Sequence, residues 1–276
     1  MKYAKLNIKV ADSKAPYFIG SQVRGAFGYA LKSVVCINPT KECNGCESCQ
    51  KCLYYEFYEN KNVYHKYRFD FLLGNSNYDF DFYLFGDVIG YLPYCVTAFY
   101  RLFTQIGLGK ERRKFVDFEM QVNGRSCYKN GSLRVLENFS LDIKIPPFER
   151  EIVLEFLTPL RIKKYNSFLR YGEGLELKDL INSIYQRQMK ILGRDFKKFP
   201  YEIKGEIYGR DLRFLELSRH SNRQKVMMNL GGLVGRVCIK NLNKESYEVL
   251  RLGEYLGVGK QCVFGLGKIR VEEIEK

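Results

Sequence analysis

The same order of periodicities runs through the chain twice, and few folds satisfy it. Residues 3–10 alternate: Ala4, Leu6, Ile8 and Val10 share one face and Lys5, Asn7 and Lys9 the other, the pattern of a half-buried strand. Ser21 stands as an N-cap, and Val23, Phe27, Ala30 and Val34 follow at helical spacing, which predicts a helix over 22–35. Aromatic-rich strand candidates occupy 63–73 and 79–86. Pro93 suits the first turn of a second helix with the apolar face Val96, Phe99, Phe103 and Ile106, stopped at Gly107. Strand-like stretches return at 114–122 and 133–145. Pro146-Pro147 then punctuates the chain. Beyond it, 151–157 alternates again, and Leu177, Ile181, Ile184, Gln188 and Ile191 mark a helix ending at Gly193. Strands are predicted at 233–240 and 262–272, with a helix over 244–256 between them that stops at Gly257. Strand, helix, strands, helix, strand in each half is the split βαβ, ferredoxin-like unit. The expected class is therefore α+β, with tandem ferredoxin-like domains at 1–147 and 148–276.

Charge narrows the partner. The net charge is +14, and both halves carry it: 21 Lys and Arg against 15 Asp and Glu in residues 1–150, 24 against 16 in 151–276. A basic field spread over the whole chain suits a polyanion such as nucleic acid, or simply a soluble basic surface. The 21 tyrosines and 20 phenylalanines include candidates for stacking on unpaired bases. The most apolar stretch, Leu92–Leu108, is broken by Tyr, Thr, Arg and Gln, which argues against a membrane span. The N-terminus enters a strand pattern without an apolar signal region, so a cytoplasmic location is expected. Of nine cysteines, five fall within 36–52 and four stand singly at Cys95, Cys127, Cys238 and Cys262. That distribution fits a metal cluster plus buried thiols better than disulfides.

Residues 257–268 read Gly-Val-Gly-Lys-Gln-Cys-Val-Phe-Gly-Leu-Gly-Lys. The order matches neither a Walker A loop nor a dinucleotide fingerprint. Exposed amides at Gly257, Gly259, Gly265 and Gly267, with Lys260 and Lys268, would suit a phosphate chain; a turn for close strand packing is the other reading. This segment resembles the glycine-rich signature of the RAMP proteins and, more narrowly, of the CRISPR repeat-processing endoribonucleases of the Cas6 type. Arg219-His220-Ser221-Asn222-Arg223-Gln224-Lys225, followed by Met227 to Gly235, resembles that family's Arg-Tyr-Ser-Ser-Arg-Gln segment and its Gly-Gly-hydrophobic-x-Gly. Leu157–Arg161, Arg24–Gly28, Leu84–Gly86 and Gly107–Gly109 also fit, so the resemblance spans about residues 24 to 270.

The resemblance implies a protein that binds CRISPR repeat RNA in a precursor transcript and cuts it once per repeat. The implied reaction needs no catalytic metal: a ribose 2′-hydroxyl attacks the adjacent phosphate, leaving a 2′,3′-cyclic phosphate and a 5′-hydroxyl. The guide RNAs then serve an interference complex. A monomer or a homodimer is expected. The alternative is a non-cutting RAMP subunit of a CRISPR effector complex. Cleavage of this kind needs a base, charge stabilisation and an acid. The two histidines are the first candidates. His220 lies among Arg219, Ser221, Arg223, Gln224 and Lys225, where the family usually has Tyr. His65 lies beyond the first helix, which itself holds no histidine. Lys32, Tyr29 and Arg24 on that helix are the further candidates, Arg24 for RNA binding. Arg112, Arg113 and Lys114, and Arg161, Lys163 and Lys164, form two basic stretches suited to phosphates.

Cys36, Cys43, Cys46, Cys49 and Cys52 stand at gaps of six, two, two and two residues. Four thiolates around a structural zinc are the expectation, with an iron–sulfur cluster or free thiols as alternatives. The resemblance points to Cys36, Cys43, Cys46 and Cys52 as the ligands and leaves Cys49 as the extra one. The knuckle would fix the loop after the first helix.

Overall fold

In the computed structural model the alternation of 3–10 becomes β1 (Lys2–Val10), with Ala4, Leu6, Ile8 and Val10 buried. The structure describes all residues except 62, 135, 196–197, 222–225 and 275–276, and leaves aside the side chains of His220, Ser221 and Val226. The chain forms two units, 1–142 and 143–276.

In the first unit β1 leads into α1 (Gly20–Val35), then β2 (Tyr67–Asp70), β3 (Tyr78–Phe85), α2 (Leu92–Arg101), β4 (Phe118–Val122), β5 (Arg125–Lys129), β6 (Ser132–Leu133) and β7 (Leu141–Asp142). The strands are antiparallel in the order β2-β3-β1-β4-β5-β6, and β7 pairs with the start of β1. Leu6 faces Phe82 on one side and Val122 on the other, which sets the register. The core is aromatic. Phe27 of α1 stacks on Phe99 of α2 at 4.4 Å and packs 4.9 Å from Phe82 of β3. Burying such rings drives helix against sheet.

The second unit repeats the plan with β8 (Ile152–Leu160), β9 (Lys163–Lys164), β10 (Ser167–Phe168), α3 (Leu177–Ile191), β11 (Glu206–Leu215), β12 (Ser218–Ser221), β13 (Val226–Asn229), β14 (Gly232–Lys240), α4 (Lys244–Leu256) and β15 (Ile269–Glu273). The main sheet runs β11-β14-β8-β15, the order β2-β3-β1-β4 over again. Both units are thus ferredoxin-like, as the duplicated pattern predicts. β9–β10 and β12–β13 are separate hairpins. No helix among the described residues is long and apolar enough to cross a membrane.

Three expectations change. Ser21 is not a cap: α1 starts at Gly20, with Ile19 in the cap position and no side-chain bond there. The strand expected over 133–145 shrinks to fragments at its two ends, β6 and β7, whose residues are exposed and have no core face to hold an alternation. The strand expected from 262 starts only at Ile269, because Gly265 and Gly267 take φ of +79° and +68°.

Candidate nucleic-acid interface

In the first unit one face of α1 carries Arg24, Gly28 and Lys32 at intervals of four. That face meets a π-helical turn, Tyr55–Glu59. Gly28 makes the approach possible, since a Cβ there would lie 2.5 Å from the Tyr58 ring. Tyr58 donates its hydroxyl to the Arg24 carbonyl at 2.7 Å, and the Arg24 guanidinium lies 4.6 Å over the same ring. Arg24 Nε also donates to the Tyr67 hydroxyl at 3.1 Å. Tyr54 stacks on Tyr58 at 5.3 Å, and Lys32 Nζ sits 4.8 Å over Tyr54. His65 lies 5.6 Å from the Tyr67 ring, and its Nδ1 is 3.2 Å from the Glu56 carbonyl. A carbonyl only accepts, so Nδ1 carries the proton of the neutral ring and the lone pair falls on Nε2. Arg24, Lys32 and His65 are thus strung around one group of tyrosines. Tyr29 is not among them: it is 68% exposed.

Tyr54, Tyr58 and Tyr67 join these candidates, and the sequence reading did not single them out. Their one sequence signal is the aromatic run Tyr54-Tyr55-Glu56-Phe57-Tyr58 directly after the cysteines. Burial raises the Tyr58 phenol well above its ordinary value, with Tyr67 adding to the effect, so it stays a neutral donor.

In the second unit the glycine loop is sewn onto the end of β8. Gly267 N donates to Pro159 O at 3.1 Å, Gly259 N to Ser183 Oγ at 2.8 Å, Gly265 N to Cys262 O and Gly257 N to Gly253 O. Thr158 donates its hydroxyl to Gly265 O and accepts from Lys268 N. This corrects the expectation of exposed amides at Gly257, Gly259, Gly265 and Gly267. The glycines serve close backbone packing, and the loop offers side chains instead: Lys260 is exposed and Lys268 half-buried. Arg219, on β12, lays its guanidinium 4.5 Å over Phe264 of the loop and donates to Met228 Sδ at 3.2 Å. His220 and Ser221 lie on β12, their backbones opposite Met227 and Val226. Their side chains, and Arg223, Gln224 and Lys225, lie outside the described residues.

The basic stretches divide. Arg112, Arg113 and Lys114 are exposed, with Arg113 also donating to Asp12 O at 3.2 Å. Lys163 is exposed. Arg161 is committed inside the fold, and half-buried Lys164 is held in ion pairs. Arg161 is 5% exposed, donates to Gly231 O and lies 4.1 Å over the Phe168 ring; burial lowers its pKa. Lys164 Nζ bonds Gly174 O at 2.9 Å and the carboxylates of Glu176 and Asp179 at 2.7 and 2.8 Å.

The five clustered cysteines, Cys36, Cys43, Cys46, Cys49 and Cys52, lie in a run of turns after α1. Among the described residues, no three His, Cys, Asp or Glu side chains are placed to share an ion. Cys46 N, Cys49 N and Cys52 N each donate to the carbonyl of the cysteine three residues before, at 3.3, 3.1 and 3.2 Å. A tetrahedral zinc needs its four sulfurs about 3.8 Å apart around one point. Cys36 Sγ instead faces Asn38 O at 3.8 Å. Burial raises the Cys43 thiol against the pull of nearby Lys32.

Comparison with known proteins separates the two units. Residues 154–269 match the model of the CRISPR-associated endoribonuclease Cas6. The second unit belongs to the Cas6 family. Residues 1–137 match a different model, the AF_1859_N N-terminal domain. An uncharacterized protein of Archaeoglobus fulgidus is 25% identical over 93% of this chain and 92% of its own length. Among solved structures, a Cas6 product complex covers 98% of this chain and 100% of its own, with 14% identity and a TM-score of 0.58. The Cas6 of Thermus thermophilus covers 98% of each chain at 15% identity and 0.55. A RAMP protein binding different RNA substrates covers 99% and 100% at 14% and 0.51. Likeness at this identity concerns the fold, and it agrees with the tandem ferredoxin-like plan of this chain.

Proposed function

We propose that the chain binds CRISPR repeat RNA and cleaves it as a metal-independent endoribonuclease. The observation that carries this reading is the Cas6 match across the second unit. The spread positive charge and the solved relatives, one a Cas6 product complex and one a RAMP protein binding different RNA substrates, support it. In the proposed reaction a base takes the 2′-hydroxyl proton and the oxygen attacks the adjacent phosphorus. The bond to the 5′-oxygen breaks, and that oxygen takes up a proton. His65 is the favoured base, because its Nδ1 bond to Glu56 O leaves the lone pair on Nε2. Lys32, held over Tyr54, would stabilise charge on the phosphate. Arg24 is a positioning residue that holds Tyr58 and Tyr67.

The test is incubation with the neighbouring repeat RNA in excess EDTA, with the product ends mapped. A single cut with a 2′,3′-cyclic phosphate and a 5′-hydroxyl is expected. His65→Ala should slow cutting by about 100-fold or more while binding is kept. Normal cutting by His65→Ala with loss in His220→Ala would move the base to β12. Tight binding without any cut would make the chain a binding subunit.

A further inference from the structure

The β9–β10 hairpin breaks a rule that hairpin tips ordinarily obey. Lys164 pairs with Ser167 and Lys163 with Phe168, which leaves Tyr165 and Asn166 as the two central residues, at φ +47° and +63°. Positive φ at both is the type I′ arrangement, in which Asn and Gly are favoured and a bulky side chain is strained. Asn166 suits its place and Tyr165 does not. Burial offers Tyr165 no compensation, since it is 100% exposed. Folding alone therefore disfavours tyrosine at this tip, and strain kept without a folding benefit points to use.

A second ring accompanies it. Tyr171 is 77% exposed and lines the same groove of about 660 Å³, with Phe168, Arg170 and Glu173. The groove is held firmly. Lys164, in the hairpin stem, is fastened to Gly174, Glu176 and Asp179, and Leu169 N bonds Ile162 O at 3.0 Å. Its charges balance: Lys164 and Arg170 face Glu173 and Glu176, with Lys164 paired to Glu176 and Arg170 to Glu216. A balanced groove does not gather phosphate, but it suits a flat, neutral ring. Aromatic side chains stack on any unpaired base, and a carboxylate such as Glu173 accepts from a base's amino edge. Exposed Lys163 stands in the same stem.

We propose that the β9–β10 hairpin is a base-stacking subsite, in which an unpaired nucleobase of an RNA strand lies against Tyr165 and Tyr171 while Lys163 meets its phosphate. The proposal rests on the reading that this chain binds repeat RNA, and it adds where an unpaired nucleotide of that RNA is held.

The test measures affinity for single-stranded repeat RNA, an unrelated single strand and a fully paired duplex. It compares the wild-type chain with Tyr165→Ala, Tyr171→Ala, the double variant and both Tyr→Phe variants. Each alanine should weaken single-strand binding by about 5- to 150-fold, with phenylalanine close to wild type and duplex binding unchanged. Tyr165→Asn should weaken binding while its melting temperature stays level or rises, an outcome that a structural role would reverse. Single-strand affinity within twofold of wild type in the double variant would overturn the subsite, leaving the rings to another surface such as a protein partner. The two readings fail separately. Repeat binding and cutting that ignore both tyrosines sink only the subsite. Tyrosine-dependent binding with no preference for the repeat sinks only the repeat reading.

Discussion

Gly267 shows how a single missing side chain sets the loop that the sequence makes conspicuous. It sits at φ +68°, and a Cβ would stand 1.8 Å from Val258 O, the atom of a backbone that cannot move aside. Gly267→Ala should cost at least about 2 kcal/mol, read as a lower urea midpoint with an unchanged slope. Lys260→Ala is the contrast. Its side chain is exposed, so stability should stay within about 0.5 kcal/mol while affinity for RNA falls. If Gly267→Ala kept full stability and lost RNA affinity alone, the glycines would be contacting phosphate after all.

At the scale of elements, regular apolar spacing was the legible part. Leu177–Ile191 and Lys244–Leu256 are helices where their apolar faces and closing glycines place them. β11 was missed because it is an edge strand with no fully buried side chain, and its alternation of exposed and half-buried residues breaks partway along. The candidate site was legible as residues but not as an assembly. Arg24 meets Tyr58 and Tyr67 across 34 and 43 residues, and no local pattern encodes contacts so far apart. The cysteine segment is legible as a run of closely spaced thiols, but Cys-x-x-Cys spacing alone does not fix which of them a metal would gather. The segment 36–52 predicts that chelation lowers the melting temperature only where its thiols hold zinc. It also predicts that a thiol reagent titrates Cys36, Cys43, Cys46, Cys49 and Cys52, all half-buried, before the buried Cys95, Cys127 and Cys262. Burial pushes the Cys127 thiol up to about 11 and that of Cys95 higher still, so both should react only on unfolding. Stoichiometric zinc that protects the five, with a fall in melting temperature in EDTA, would show that metal regathers this segment.

For the whole molecule, the +14 charge and the exposed aromatic rings act on RNA through different physics, and salt separates them. Contacts to phosphate release counterions, so the logarithm of affinity falls with the logarithm of salt by about 0.7 per phosphate neutralised on a single strand. Stacking releases none. Arg112→Ala and Lys114→Ala, each losing one exposed cation, should therefore flatten the salt slope by up to about 0.7 each and converge with wild type at high salt. Tyr165→Ala should instead lower the whole line in parallel, with the same loss at every salt concentration. Titrations of repeat RNA from low to high salt decide this. A flattened slope for Tyr165→Ala would place a phosphate at the hairpin tip, and a parallel shift for Arg112→Ala and Lys114→Ala would take those side chains off the RNA backbone.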